Sequence, residues 1–566
     1  MVMMTSQQGP QASPRAPPHV DIAMCLPPEL IYILGQFLTG PSLLASLQLN
    51  KHWHRSLLPI LWASISKSQW HHPAFPIQQL SKSFKGDDLP ASLSLVRELE
   101  WLCNLALKEP LFSYGTSTVD ETPWPFISTR LQLSGQVLTR ILEATPNLTT
   151  LSLTFKHTGP HVKLFDAIRQ LRNLRCLSMD IAMPSTGPLL LDNFYPIFSQ
   201  LEELSIAGNW YHYTASQVSS TPSSTTTVPG STTTSTAPGL DQPWRVRKLR
   251  TSVETLSMLH KCPHLVSLAL EHVPLFAGSI ANRPYSLRHI LMCPNIQELS
   301  ITWWTGCDEV KDLVETLLSL THLRTLEYCV SHLEHLQFLV PLLPHQRLPP
   351  PVLCQMHGED EEYRRLPLAV PTLEHITIKN AHVDNSQEEE EFERLVPEIL
   401  KTRPLLKTFT LPSCSINPRT FFPQPGKETD DKWACTGLEK LAFRLPWTIQ
   451  GESKEQIRQE VWRPMYRQLG KMKSLTSLTI WGKLIDMSPE AGISQLAGAV
   501  ELERLAIKDA HSWVTDREGM MSLVRVLGPK MNLLHLTRFR PGDLELLREC
   551  LQDAGRSDIV LRENMT

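Results

Sequence analysis

Two hydrophobic rhythms run along this chain. Over residues 26 to 38, "LPPELIYILGQFL", Leu26, Leu30, Leu34 and Leu38 recur at every fourth position, while Ile31, Ile33 and Phe37 widen the stripe around much of a helix. Pro27 and Pro28 suit a helix start, Glu29 favours the first turn through the helix dipole, and Thr39-Gly40-Pro41 ends this helix and primes the next. A second short helix carries Leu43, Leu44 and Leu47, and a third segment, "NKHWHRSLLPILWASI", supplies Trp53, Leu57, Leu61 and Trp62. Three short helices within about 40 residues lie near the lower size limit for independent stability. The apolar surplus therefore points to a surface meant for a partner.

The second rhythm begins near Leu148. The pattern L-x-x-L-x-L, with apolar substitutions, returns as "LTTLSL" at 148, "LRCLSM" at 174, "LEELSI" at 201, "LVSLAL" at 265, "IQELSI" at 296 and "LRTLEY" at 323. It continues as "LEHITI" at 373, "LKTFTL" at 406, "LEKLAF" at 438, "LTSLTI" at 475 and "LERLAI" at 502. Since 42% of the residues are hydrophobic, three matched positions arise by chance at roughly 7% of sites, so the context carries the weight. Many hexamers follow a helix-period segment and a short turn, as in "ILEATPNL", "MLHKCPHL", "ILMCPNI" and "ILKTRPLL", and unbroken neighbours lie 26 to 37 residues apart. "VRELEW" at 96 reads as an irregular first unit, "LLHLTR" at 533 as a degraded last one, and "DLELLRECLQDA" as a closing helix. The wider spacings, 201 to 265 and 323 to 373, mark insertions. The first holds a Ser/Thr/Pro/Gly tract over 214–240, expected to be disordered; the second holds "PLLPHQRLPPP" and "GEDEEYRR", a loop insertion over 341–366.

Composition narrows the function classes. The 54 basic and 57 acidic residues give a formal net charge of −3, which exerts no general pull toward nucleic acid or anionic membrane, so charge-driven recognition must be local. Eleven cysteines lie scattered from Cys25 to Cys550 without a C-x-x-C pair, a usage expected of buried thiols in a reducing compartment, cytoplasmic or nuclear. No secretion signal and no window of 18 apolar residues is evident. The glycosylation patterns at Asn147 and Asn564 then read as chance matches.

Residues 26 to 65 resemble an F-box: Leu-Pro-x-Glu at Leu26, Pro27 and Glu29, apolar positions at Leu30, Leu34, Leu38, Leu43 or Leu44 and Leu47, then Lys51-x-Trp53, Leu61-Trp62 and Ile65. The sequence departs from the family pattern at Leu49-Asn50, where Val-Cys is frequent, and at Gly35, which weakens a helix by roughly 1 kcal/mol relative to alanine. The later hexamers resemble leucine-rich repeats of the long, helix-containing kind, with a parallel sheet on a concave face and convex helices. The resemblance implies an α/β fold in which a three-helix F-box precedes a leucine-rich-repeat solenoid. Its layout is a disordered tail over 1–20, an F-box over 21–66, a connector over 67–95, the solenoid over 96–550 and a cap or tail over 551–566. It further implies docking on the Skp adaptor of a cullin–RING ubiquitin ligase through Leu26, Pro27, Leu30, Leu34, Leu38, Leu43, Leu44, Leu47, Trp53, Leu61 and Trp62.

Catalytic and cofactor motifs are missing: no phosphate-binding glycine loop, no H-E-x-x-H, no G-x-S-x-G and no paired cysteine ligands. His332 and His335 share a helix face without a third ligand, and no metal or cofactor is expected. Cys262 and Cys293 read as inward-packing thiols, and Glu388 to Leu395 as the solvated start of a helix. Strand alternation places the third and fifth residue of each hexamer, and the residue after it, away from the leucines. The first six units then present Asp180, Glu203, Glu271, Glu298 and Glu327 without Lys or Arg, and the last five present His375, Lys379, Lys440, Arg444, Arg504 and Lys508 without an acid. Trp303 and Trp481 lie on or beside this row, as candidate anchors for a protein target.

Three function classes follow. The first is a substrate receptor of an SCF-type ubiquitin ligase, itself not an enzyme, acting by proximity. The second is an adaptor-binding scaffold outside ubiquitination. The third is a repeat protein that regulates a small GTPase or another enzyme directly, with residues 26 to 65 as its cap.

Overall fold

The computed structural model describes residues 26–65, 89–103, 135–155, 162–181, 195–208, 243–252, 258–271, 287–301, 316–317, 319–329, 372–379, 386–422, 433–446, 453–482, 485–508, 517–537 and 541–564. The tail 1–20, the insertions 214–240 and 341–366, the His332/His335 pair and Trp303 lie outside these residues. The chain divides into two compact units, Met1–Leu177 and Ser178–Thr566.

In the first unit, three helices open the fold: α1 (Pro28–Gln36), α2 (Gly40–Leu47) and α3 (Lys51–Ala63). Proline in the first turns of α1 and α2 costs nothing, because the missing N–H would have had no intrahelical acceptor. Asn50 caps α3 by accepting a hydrogen bond from the Trp53 amide at 2.9 Å. The departure from the family pattern at this position therefore has a structural role of its own. Ile31, Leu43, Leu47, Trp53, Leu57, Leu61 and Trp62 form the core between the helices. A Cβ on Gly35 would lie 2.4 Å from Leu57 Cδ2 and 2.5 Å from Ile60 Cδ1, so the residue that reads as a weak point in the helix is what lets α1 approach α3.

The chain passes from α3 straight into strand β1 (Ser64–Ile65), which pairs in parallel with β2 (Glu98–Cys103), and β2 with β3 (Thr150–Phe155). A 3₁₀ turn at Ala91–Leu95 inserts the buried Leu93 beside α3. β4 (Cys176–Ile181) spans the division between the units.

In the second unit, strands β5 (Glu203–Gly208), β6 (Lys248–Ser252), β7 (Ser267–Glu271), β8 (Glu298–Ile301), β9 (Thr325–Cys329) and β10 (His375–Lys379) lie side by side in chain order. They are followed in the same order by β11 (Thr408–Ser415), β12 (Lys440–Arg444), β13 (Ser477–Trp481), β14 (Arg504–Lys508), β15 (Leu533–Thr537) and β16 (Val560–Asn564). From β5 to β16 each strand pairs in parallel with the next. Parallel neighbours need a crossover between them; here it contains a helix or 3₁₀ turn, such as Leu287–Met292, Ser386–Thr402, Arg463–Lys471 and Arg517–Val526. One carbonyl at the strand entry accepts two successive amides of the next repeat. Arg247 O accepts from Val266 and Ser267 at 2.8 and 3.0 Å, and the motif recurs at Val266, Gln297, Arg324, Glu374, Lys407, Glu439, Thr476 and Glu503. Both lone pairs of each carbonyl are thereby used, which locks the register of the array.

Burial alternates along β12 to β14: on β12 Leu441 and Phe443 are buried while Lys440 is exposed and Ala442 and Arg444 are half-exposed, and the same phase holds on β13 and β14. Two features depart from the sequence reading. β6 lies inside the spacing read as an insertion, in a repeat formed by Val246, Leu249 and Thr251, all buried. β16 lies beyond the solenoid end expected at 550, and pairs with β15 from Leu533↔Val560 to Thr537↔Asn564. Glu388 and its neighbours fall in the first turns of the helix Ser386–Thr402.

Candidate functional sites

The sequence reading offers two surfaces. The first is α1. Its buried side is narrow, Ile31 and Gly35, and the helix turns Leu30 (47% exposed), Ile33 (49%), Leu34 (45%) and Phe37 (81%) outward. These positions are i, i+3, i+4 and i+7, one continuous stripe. Tyr32 and Leu49 are exposed as well. Of the residues expected to touch an adaptor, Leu30, Leu34 and Pro27 are on the surface and Leu26, Leu38 and Leu44 are partly accessible. Leu43, Leu47, Trp53, Leu61 and Trp62 are buried in the three-helix core. The side chains of these five pack α1, α2 and α3 on one another, so in the chain by itself they support the surface from beneath. Ile33 and Phe37 were missed as surface residues, because an apolar stripe that wraps most of a helix does not say which side will be covered.

The second surface is the face of the sheet opposite the leucines. Asp180, Glu203, Glu271, Glu298, Glu327, Lys379, Lys440, Arg444, Trp481, Arg504 and Lys508 all stand at exposed or half-exposed strand positions in the outward phase. The reading of an unbroken acidic stretch is corrected by β6. Its outward residues Lys248 and Arg250 sit between acidic neighbours: Lys248 Nζ reaches Glu203 Oε1 at 2.8 Å, and Arg250 pairs with Glu271. Lys379 in turn pairs with Glu327. The signal was missed because the last apolar position of this repeat is Thr251, which breaks the hexamer.

Beyond β10 the balance changes. The registers place Lys440, Ser477 and Arg504 in one row, Ala442, Thr479 and Ala506 in the next, and Arg444, Trp481 and Lys508 in a third. Thr408 and Thr410 of β11 extend the first two rows on one side, and Leu533 and His535 of β15 extend them on the other. None of these outward positions on β11 to β15 carries a carboxylate. Lys508 Nζ lies 5.3 Å from the Trp481 ring centroid, in cation–π range, and Arg444 Nε donates to Pro412 O at 3.1 Å. His375 on β10 hydrogen-bonds Thr408 through Nδ1 at 2.9 Å. Burial lowers the pKa of His535, and Lys508 and Arg562 push it further the same way. Behind the rows, Phe443 of β12 packs with Phe421 and Phe422 at ring-centroid distances of 5.8 and 5.5 Å, against Trp433, giving the face a rigid back.

Other reactive candidates are structural. Burial pushes the thiols of Cys262, Cys293 and Cys435 up to about 12, and Cys293 Sγ donates to Cys262 O at 3.2 Å. Among the described residues no cluster of His, Cys, Asp and Glu could hold a metal, and no helix is long and apolar enough to cross a membrane.

By its fold, the second unit is a leucine-rich-repeat solenoid. No protein-family profile and no curated relative matches the chain. Among solved structures it is similar to the leucine-rich-repeat ectodomain of the plant membrane receptor kinase GASSHO1/SCHENGEN3 from Arabidopsis thaliana, in complex with CASPARIAN STRIP INTEGRITY FACTOR 2. That match has 11% identity over 85% of this chain and 57% of the other, with a TM-score of 0.24. It is also similar to the mouse RP105/MD-1 complex, at 13% identity over 72% of this chain and 63% of the other, with a TM-score of 0.26. The chain thus spans less than two thirds of either structure's length, and the assignment of the fold rests on the strand order and register described above.

Proposed function

We propose that the chain is a substrate receptor of an SCF-type ubiquitin ligase, with the helical segment 26–65 docking on the Skp adaptor and the repeat sheet holding a target protein. The observation that carries the first half is the outward stripe Leu30, Ile33, Leu34 and Phe37, an apolar face on a small helical unit that its own core leaves uncovered. The F-box-like order of residues in that unit supports the Skp adaptor as the partner. The second half is supported by the repeat fold, whose outward rows are set by the backbone and free to vary in side chain. In this reading the protein performs no bond chemistry: it raises the effective concentration of the target near the ubiquitin-charged enzyme. Its compartment is cytoplasmic or nuclear.

The test is a pull-down of the full chain with purified Skp adaptor, with and without cullin, beside the Leu34→Glu, Phe37→Glu double variant. Capture of adaptor and cullin by the wild type, lost in the variant, is the expected result. Adaptor without cullin would select the scaffold role outside ubiquitination. No adaptor binding by a folded wild type would reject both, leaving the segment as a cap and the protein as a direct regulator.

A further inference from the structure

In the stretch from β5 to β10 the outward bases meet acids: Lys248 with Glu203, Arg250 with Glu271, Lys379 with Glu327. At three bases of β12 and β14 this pairing stops. Among the described residues, Lys440, Arg504 and Lys508 have no carboxylate within ion-pair reach, although Lys440 and Arg504 share one row and Arg444 and Lys508 another. Like charges gathered on one face repel one another and destabilise the fold slightly. A ligand of opposite charge would convert that cost into affinity.

The rows also have a shape. Lys440 and Arg504 stand two strands apart, about 10 Å, and the two basic rows are four residues apart along the strands, about 13 Å. Between them the floor is Ala442, Thr479 and Ala506, side chains too short to fill the gap. The result is a shallow channel that crosses the strands, with cations on both walls, hydroxyls from Ser477 and Thr479, and Trp481 as an apolar contact on one wall. An extended chain rises about 3.3 Å per residue, so acidic groups three residues apart match the 10 Å spacing of the cations.

We propose that this channel over β12 to β14 binds an extended acidic segment of a partner protein, with Lys440, Arg444, Arg504 and Lys508 contacting its anionic groups and Trp481 its aliphatic portions. The proposal deepens the target-binding half of the reading above and rests on it only there. The electropositive setting is also felt by His535 at the end of the floor row, whose protonation is disfavoured by burial first and then by Lys508 and Arg562. A peptide fits better than a nucleic acid because the cations are few and local in a chain of net charge −3, and Trp481 is the one aromatic side chain of the three rows, where base stacking uses several.

The experiment is fluorescence anisotropy of the full chain with labelled nine-residue Gly/Ser peptides carrying glutamate, phosphoserine or lysine at every third position, at low and high salt. The expected result is binding of the glutamate and phosphoserine peptides, weakened by salt, and reduced tenfold or more by Arg504→Glu with Lys508→Glu. The exposed Lys454→Glu should leave it unchanged. Binding of the phosphoserine peptide alone would uphold the channel and identify its anion as phosphate. No binding of either acidic peptide, equal binding of the lysine peptide, or indifference to the double reversal would overturn the proposal. So would tighter binding of a ten-nucleotide polyuridine through the same residues, which would assign the channel to RNA. Circular dichroism and urea unfolding of the same samples test the folding of the variants, and adaptor capture, measured beside them, keeps failure of the channel distinct from failure of the adaptor reading.

Discussion

The α1 stripe can be tested quantitatively with Phe37→Ser. Phe37 is 81% exposed in the chain by itself, and complete burial of a phenylalanine side chain is worth about 1.5–3 kcal/mol, so seating it in a partner would contribute about 2 kcal/mol. Removing it should therefore raise the Kd for the adaptor about 30-fold. Ile33, half exposed, should account for about 1 kcal/mol on the same scale, roughly fivefold in Kd. The two lie one turn apart, so their effects need not add. Stability should barely respond, by less than about 0.5 kcal/mol, because neither residue is in the core. Leu57→Ala, which empties a fully buried position between α1 and α3, should instead cost about 2–5 kcal/mol. The assay pairs calorimetric titration of the full chain with the adaptor and urea unfolding of the same samples followed by circular dichroism. If Phe37→Ser leaves the Kd unchanged, the stripe is not the docking face. If it destabilises the chain as Leu57→Ala does, the stripe is covered by the protein itself and the cap role is correct.

Two further predictions concern the second unit. A Cβ on Gly470 would lie 2.0 Å from the Gln495 carbonyl oxygen, and one on Gly498 would lie 2.3 Å from Gly470 O, so the helix Arg463–Lys471 and the 3₁₀ segment Ile493–Gly498 meet backbone to backbone. Helix propensity favours Gly470→Ala by about 1 kcal/mol, but overpacking against rigid backbone costs about 1–3 kcal/mol or more, so the variant should be less stable, with a lower Tm; a higher Tm would refute the contact. The thiols of Cys262, Cys293 and Cys435, held near 12 by burial, should be alkylated by iodoacetamide at pH 8 about a thousandfold more slowly than an ordinary cysteine, since only the thiolate reacts. Peptide mapping by mass spectrometry checks this, and labelling of the native chain at the rate of a free thiol would refute it.

Much of the architecture was determined by sequence alone. A period of two within each hexamer, repeated at intervals of one strand plus one crossover, is a local signal that survives without knowledge of the rest of the chain. It placed Lys440, Arg444, Trp481, Arg504 and Lys508 on one face because alternation needs only a strand and a phase. It overlooked β6, where Val246-x-x-Leu249-x-Thr251 ends on a polar residue that the fold buries anyway, and so it read an acidic stretch where Lys248 and Arg250 interleave with Glu203 and Glu271.

What only tertiary structure decided is which side of an apolar element faces out and which charges have partners. On α1 the hydrophobic positions surround most of the helix, so periodicity could not distinguish Ile31, which packs inward, from Ile33 and Phe37, which do not. The choice is made by α3, whose Leu57 and Ile60 pack so near Gly35 that a Cβ there would displace their terminal methyls. Lys440, Arg504 and Lys508 likewise stand apart from carboxylates among the described residues because of which strands neighbour them, and adjacency between repeats 27 to 37 residues apart is a property of the folded array, to which a local sequence pattern is blind.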